Sequence, residues 1–130
     1  MRLPPLPREG VRYLQNAKQI LRHIPREGDV YVDLKPVREA MGTAYLAVLE
    51  AINEALLRRG ATRKDLPRSV EAYRAALQRH FGARNGKLLR EFESLYDLLH
   101  LSGYYRATIY RRAVVMAALD AAERFIDKVA

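Results

Sequence analysis

The sequence predicts an all-α fold, an up-and-down helical bundle of about five helices. Three observations carry that expectation. Apolar residues recur at steps of three and four in five separate segments, the spacing that lines one face of an α-helix. Short stretches holding Pro or Gly separate those segments, and connections of that length set neighbouring helices antiparallel. No stretch alternates strictly between apolar and polar, and Asn85-Gly86, a pair of hairpin type, lies between helical patterns.

Residues 1–7 hold three of the six prolines and read as a flexible, extended N-terminal arm. Residues 8–130 read as a single domain. The first helix carries Val11, Leu14, Ala17, Leu21 and Ile24 on one stripe until Pro25 stops it. Arg26-Glu-Gly-Asp29 reads as a short turn. Asp33 is the expected N-cap of the second helix, with Pro36 tolerated in its first turn. Val37, Met41, Ala44, Tyr45, Val48, Ile52, Ala55 and Leu56 hold its stripe. Arg58 and Arg59 then place cations at the C-terminus before Gly60, a residue free to take the left-handed cap conformation.

A capped turn is expected over Thr62–Pro67. Ser69 caps a third helix carrying Val70, Tyr73, Leu77, His80 and Phe81, with Gly82 as terminator. The fourth runs from about Asn85 to Leu101, with Leu88, Leu89, Phe92, Leu95, Tyr96 and Leu99 inward and Gly103 as its break. The last begins near Arg106 and ends at Val129, on a stripe of Val115, Leu119, Ala122, Ile126 and Val129.

At 130 residues and 14.9 kDa the chain suits one core. Half of it is apolar (49%) and 29% is charged, which is globular rather than disordered composition. With no cysteine, disulfide frameworks, thiol nucleophiles and thiolate-bound zinc are excluded, and a cytoplasmic setting is expected. No continuous apolar run approaches the roughly 18 residues of a membrane span, and Met1–Arg8 lacks a signal-peptide core, so no membrane partner is expected. Twenty-three Lys and Arg against 15 Asp and Glu leave a net charge of +8. That balance favours acidic partners, nucleic acid first.

Phosphate-binding glycine loops, His-Glu-x-x-His and the nucleophile elbow are all missing from the sequence. Asp97-Leu-Leu-His100, with Glu93 one turn earlier, would suit half of a di-metal site, but the second such motif is missing. Neither metal nor cofactor is expected. His80, beside Phe81, reads as partly buried. Two stretches carry cations without acids: Arg74, Arg79, Arg84, Lys87 and Arg90, then Arg106, Arg111 and Arg112 among Tyr104, Tyr105 and Tyr110. Arginine beside tyrosine can hold phosphate and stack on a base. His100, Tyr104, Tyr105, Arg106, Arg111 and Arg112 are therefore the candidate ligand or nucleic-acid residues. A solvated basic face is the competing reading. The line Ala40, Ala44, Ala47 and Ala51, and the crowding of Ile109, Val114, Val115 and Met116, suggest close helix contact and a homodimer.

The run from Arg38 to Gly60, with small residues leading through a leucine pair to an Arg-Gly stop, resembles the second helix of HEPN domains. The similarity continues through Ser69–Phe81 and Leu88–Leu99 and closes with Ala118–Val129. This resemblance implies a small helical bundle, commonly a homodimer. Its relatives act as ribonucleases in toxin–antitoxin and defence systems, or as non-catalytic partners of nucleotidyltransferases. The family's ribonuclease motif is an Arg followed four to six residues later by a His, near the end of the penultimate long helix. Here that place reads Leu99-His-Leu-Ser-Gly-Tyr-Tyr-Arg106, with His100 where the Arg would align and Tyr104 or Tyr105 where the His would be. The resemblance with this departure implies a non-catalytic dimer that binds nucleic acid, a nucleotide or a nucleotidyltransferase. A divergent ribonuclease, with His100 as base and Arg106 as phosphate clamp, and a helical interaction protein without a nucleic-acid role are the alternatives.

Overall fold

The computed structural model describes residues 8–81 and 86–130. The expected arm over residues 1–7 and the expected terminator Gly82 lie outside the described residues. Among the described residues the fold is an all-α bundle of five α-helices: α1 (Glu9–Arg22), α2 (Leu34–Arg58), α3 (Val70–Phe81), α4 (Lys87–Leu95) and α5 (Arg112–Val129). A π-helical segment over Tyr96–Tyr105 continues α4, and a 3₁₀ turn over Arg63–Asp65 precedes α3.

Helix α2 is the centre of the molecule, packed by α1, the π segment and α5. Asp33 caps it, its carboxylate accepting from the Lys35 N–H at 3.2 Å. Gly60 takes φ +100° just past its end, and the Ala61 N–H returns to the Leu56 carbonyl at 3.1 Å. The helix is long and apolar enough to span a membrane by length and composition, with a mean hydropathy of 1.2 over its most apolar window. Those apolar residues are the core itself: Val37, Met41, Val48 and Ile52 are fully buried. Ser69 caps α3 by accepting from the Ala72 N–H at 3.1 Å.

Three expectations are corrected. The segment read as a bare turn is a β-hairpin, β1 (Arg26–Glu27) with β2 (Val30–Tyr31), antiparallel with Glu27 opposite Val30. Gly28, at φ +60°, supplies the positive φ such a two-residue loop needs. The last helix starts at Arg112 rather than near Arg106. Residues before it leave the helix through Ala107, at φ +53°, and run beside the hairpin. There the Tyr31 N–H donates to the Tyr110 carbonyl (3.0 Å) and the Arg112 N–H to the Asp29 carbonyl (2.8 Å). Backbone pairing with a distant strand thus outweighs local helix preference.

Gly103 does not break the fourth helix. It lies buried within the π segment because a side chain there would collide with Met41 of α2, whose Cβ would stand 2.8 Å from an added Cβ. The alanine line of α2 is buried inside the chain rather than offered to a second copy. Part of it faces α1, where Gly10 sits against Ala47 and Ala51.

Candidate functional site

The π segment places Tyr96, His100 and Tyr104 in a row beside α2. His100 stacks with Tyr96 at 5.4 Å between ring centroids and with Tyr104 at 6.0 Å, and Tyr45 of α2 closes on it at 4.9 Å. Guanidinium groups stand at the two ends, Arg38 over Tyr104 (5.3 Å) and Arg74 over Tyr96 (5.4 Å). Arg74 is fixed in turn by a two-pronged pair with Glu93, through Nε to Oε1 and through Nη2 to Oε2 at 3.1 Å. Burial pushes the Tyr45 phenol up to about 12; Tyr96 and Tyr73 add to the rise and Arg74 opposes it. The row is therefore held by ring faces turned on one another and by fixed cations. It leaves few free faces for a base, and burial keeps the Tyr45 phenol in its neutral form.

A second constellation lies on another face. Lys18 and Arg22 of α1, Arg26 of β1, Tyr31 of β2 and Arg112 of α5 line a cleft of about 300 Å³ over Leu21, Ile24 and Met116. Lys18 pairs with Glu123 at 3.2 Å. Among the described residues Arg22, Arg26 and Arg112 meet no carboxylate at ion-pair distance. Burial raises the Tyr31 phenol; Arg112 and Arg26 pull against that rise and Asp29 adds to it. Two guanidinium groups thus bear on one phenol at the cleft wall. Cations around a small apolar floor suit an anionic group attached to an apolar or planar body.

The six residues singled out from sequence do not converge. His100 and Tyr104 share the ring row. Tyr105 is 71% exposed, and Arg106 is the exposed residue that ends the π segment. Arg111 lies over the Tyr110 ring at 5.9 Å, while Arg112 alone reaches the cleft. No hydrogen bond, ion pair or ring contact joins His100 to Arg106, Arg111 or Arg112 among the described residues. His80 is exposed rather than partly buried, because the adjacent Phe81 takes the inward position and Arg59 covers that ring at 4.2 Å. Glu93 is engaged by Arg74 rather than grouped with Asp97 and His100.

Lys18, Arg22 and Arg26 were legible and are missing from the expected set. They recur every fourth residue within an acid-free stretch from Gly10 to Arg26, on a helix face that continues into β1. Tyr96, His100 and Tyr104 share the same spacing. Arg38, Tyr45 and Arg74 reach the row through tertiary packing alone.

The chain belongs to the family described as a domain of unknown function (DUF5618), whose model matches residues 7–130. It is similar to a solved protein of unknown function from Dyadobacter fermentans, with 33% sequence identity and a TM-score of 0.73, over 93% of this chain and 90% of that one. No curated protein matches it.

Proposed function

We propose that this DUF5618 member is a non-catalytic, HEPN-like helical domain that acts in the cytoplasm as a homodimer and binds an acidic partner, single-stranded nucleic acid foremost. The observation that supports the reading is the cleft, where Arg22, Arg26 and Arg112 gather around Tyr31 with no carboxylate partner among the described residues. Such cations release condensed counterions when they meet phosphate, and nothing in the cleft resembles a base-reading element, so binding is salt-sensitive and sequence-tolerant. Cleavage would need an imidazole and a guanidinium on one phosphate. His100 instead has tyrosines as ring neighbours, and Arg106, the exposed residue that ends the π segment, is joined to it by no hydrogen bond, ion pair or ring contact among the described residues.

The test is fluorescence anisotropy with a labelled oligouridylate across a salt series. Three or four phosphate contacts give a log–log slope of about −2 to −3. Replacing Arg22, Arg26 and Arg112 together by Ala should flatten that slope by about 2, while His100→Ala should leave binding nearly intact. An unchanged slope in the triple variant would remove the cleft from the reading. Oligouridylate cleavage that disappears in His100→Ala would replace the reading with the ribonuclease.

A further inference from the structure

A larger groove, of about 680 Å³, lies between the C-terminal end of α2, the turn over Arg63–Asp65 and the outer face of α3. Helix α3 buries Tyr73, Leu77 and Phe81, which leaves Ala72, Ala75 and Ala76 on the groove side. Leu66 and Pro67 form the facing wall. The floor is therefore apolar and shallow in side chains, so an incoming helix can lie close against it, and the volume admits several of its side chains.

The rim is cationic, with Arg59, Arg68 and Arg79. Arg59 is held in place by donating to the His80 carbonyl at 3.0 Å and by lying over Phe81. Asp65 is the acid on the lining, and its carboxylate is already engaged, accepting from the Thr62 hydroxyl at 2.6 Å and the Thr62 N–H at 3.3 Å.

We infer that this groove docks an acidic amphipathic segment of a partner protein, its apolar side chains on the alanine floor and its carboxylates on the arginine rim. Charge selects among the occupants. A second copy carries a net charge of +8 and would bring like charge to the rim. A nucleic acid would set its phosphates on the rim, with the exposed His80 as the ring on this lining, but would leave the alanine floor without an apolar partner. An acidic helix satisfies both the floor and the rim.

The probe is a labelled amphipathic peptide with leucine on one face and glutamate on the other, added to the full chain and followed by anisotropy. Its lysine-for-glutamate and serine-for-leucine versions serve as controls. The acidic peptide should bind at least about tenfold more tightly than either control. Arg68→Glu with Arg79→Glu should weaken it by about tenfold or more, and Ala75→Trp, which fills the floor, should do the same. Arg26→Glu, on the cleft, should leave it unchanged, and circular dichroism checks that each variant is folded. Saturating oligouridylate should not displace the peptide, so this groove can fail while the cleft reading stands, and the reverse. Equal affinity for the serine control, displacement by oligouridylate, or indifference to the rim and floor substitutions would each overturn the inference.

Discussion

Tyr45 shows how one buried side chain couples the ring row to stability. Its ring is 8% exposed, wedged between α2 and the π segment, and burial lifts its phenol from 10.0 to about 12. Between those values the unfolded chain gives up the proton while the folded chain keeps it, so rising pH favours unfolding. The contribution is complete below pH 10, falls through the window and is gone above about 12. Two units of difference correspond to roughly 2–3 kcal/mol. Guanidinium unfolding at steps across that window should show a midpoint that declines with pH, and Tyr45→Phe should flatten the decline. Tyr31 and Tyr73 shift in the same direction, so some slope should survive the substitution. A slope identical to that of the wild type would mean that Tyr45 titrates in the folded state as it does in an open chain.

The close contact of α1 with α2 rests on Gly10. A Cβ there would stand 2.9 Å from the Ala47 carbonyl oxygen and 3.1 Å from the Ala51 Cβ, and both are immobile parts of a helix. The Gly10 N–H also donates to the Glu54 carboxylate at 2.9 Å, which satisfies one of the free donors at the start of α1. Gly10→Ala should therefore push the helices apart and cost about 1–3 kcal/mol, despite the better helix propensity of alanine. Thermal unfolding measures it, and a variant as stable as the wild type would show that the contact relaxes freely. The same contact explains what was legible at this scale. Stripes, caps and stops reported helices truthfully because they are local: Asp33, Ser69 and Gly60 each act within a few residues. The hairpin at Arg26–Tyr31 is itself local, with Gly28 at its turn, but the late start of α5 was not legible, because the Tyr31–Tyr110 and Asp29–Arg112 backbone bonds join segments some eighty residues apart. Gly103 looked like a terminator for the same reason. Its lack of a side chain answers to Met41 on another helix, and no local pattern records that.

For the molecule as a whole, charge and apolar exposure make opposite demands on salt. Val32 (49%), Leu34 (39%), Tyr110 (43%) and Val114 (40%) are exposed around the junction where the hairpin bonds to the segment leading into α5. A patch of that kind suits the proposed homodimer better than the alanines of α2, which the chain's own core covers. A stable dimer must cover about 800 Å² on each protomer, so such an interface extends beyond these four side chains. Two chains of net charge +8 repel as they approach, and ions screen that repulsion over about 10 Å at 0.1 M. Apolar burial does not weaken in added salt, so dimerisation should tighten as salt rises. Binding to oligouridylate draws on the same net charge with the opposite sign and should loosen over the same range. Sedimentation velocity at low and high salt, run beside the anisotropy series, separates the two. Val114→Asp with Tyr110→Asp should yield a folded monomer at both salts, since each carboxylate would have to be buried in the interface. A dimer that survives those substitutions lies on another face. A wild-type chain that stays monomeric at millimolar concentration and high salt has no homodimer to explain, and its exposed junction then belongs to a different partner.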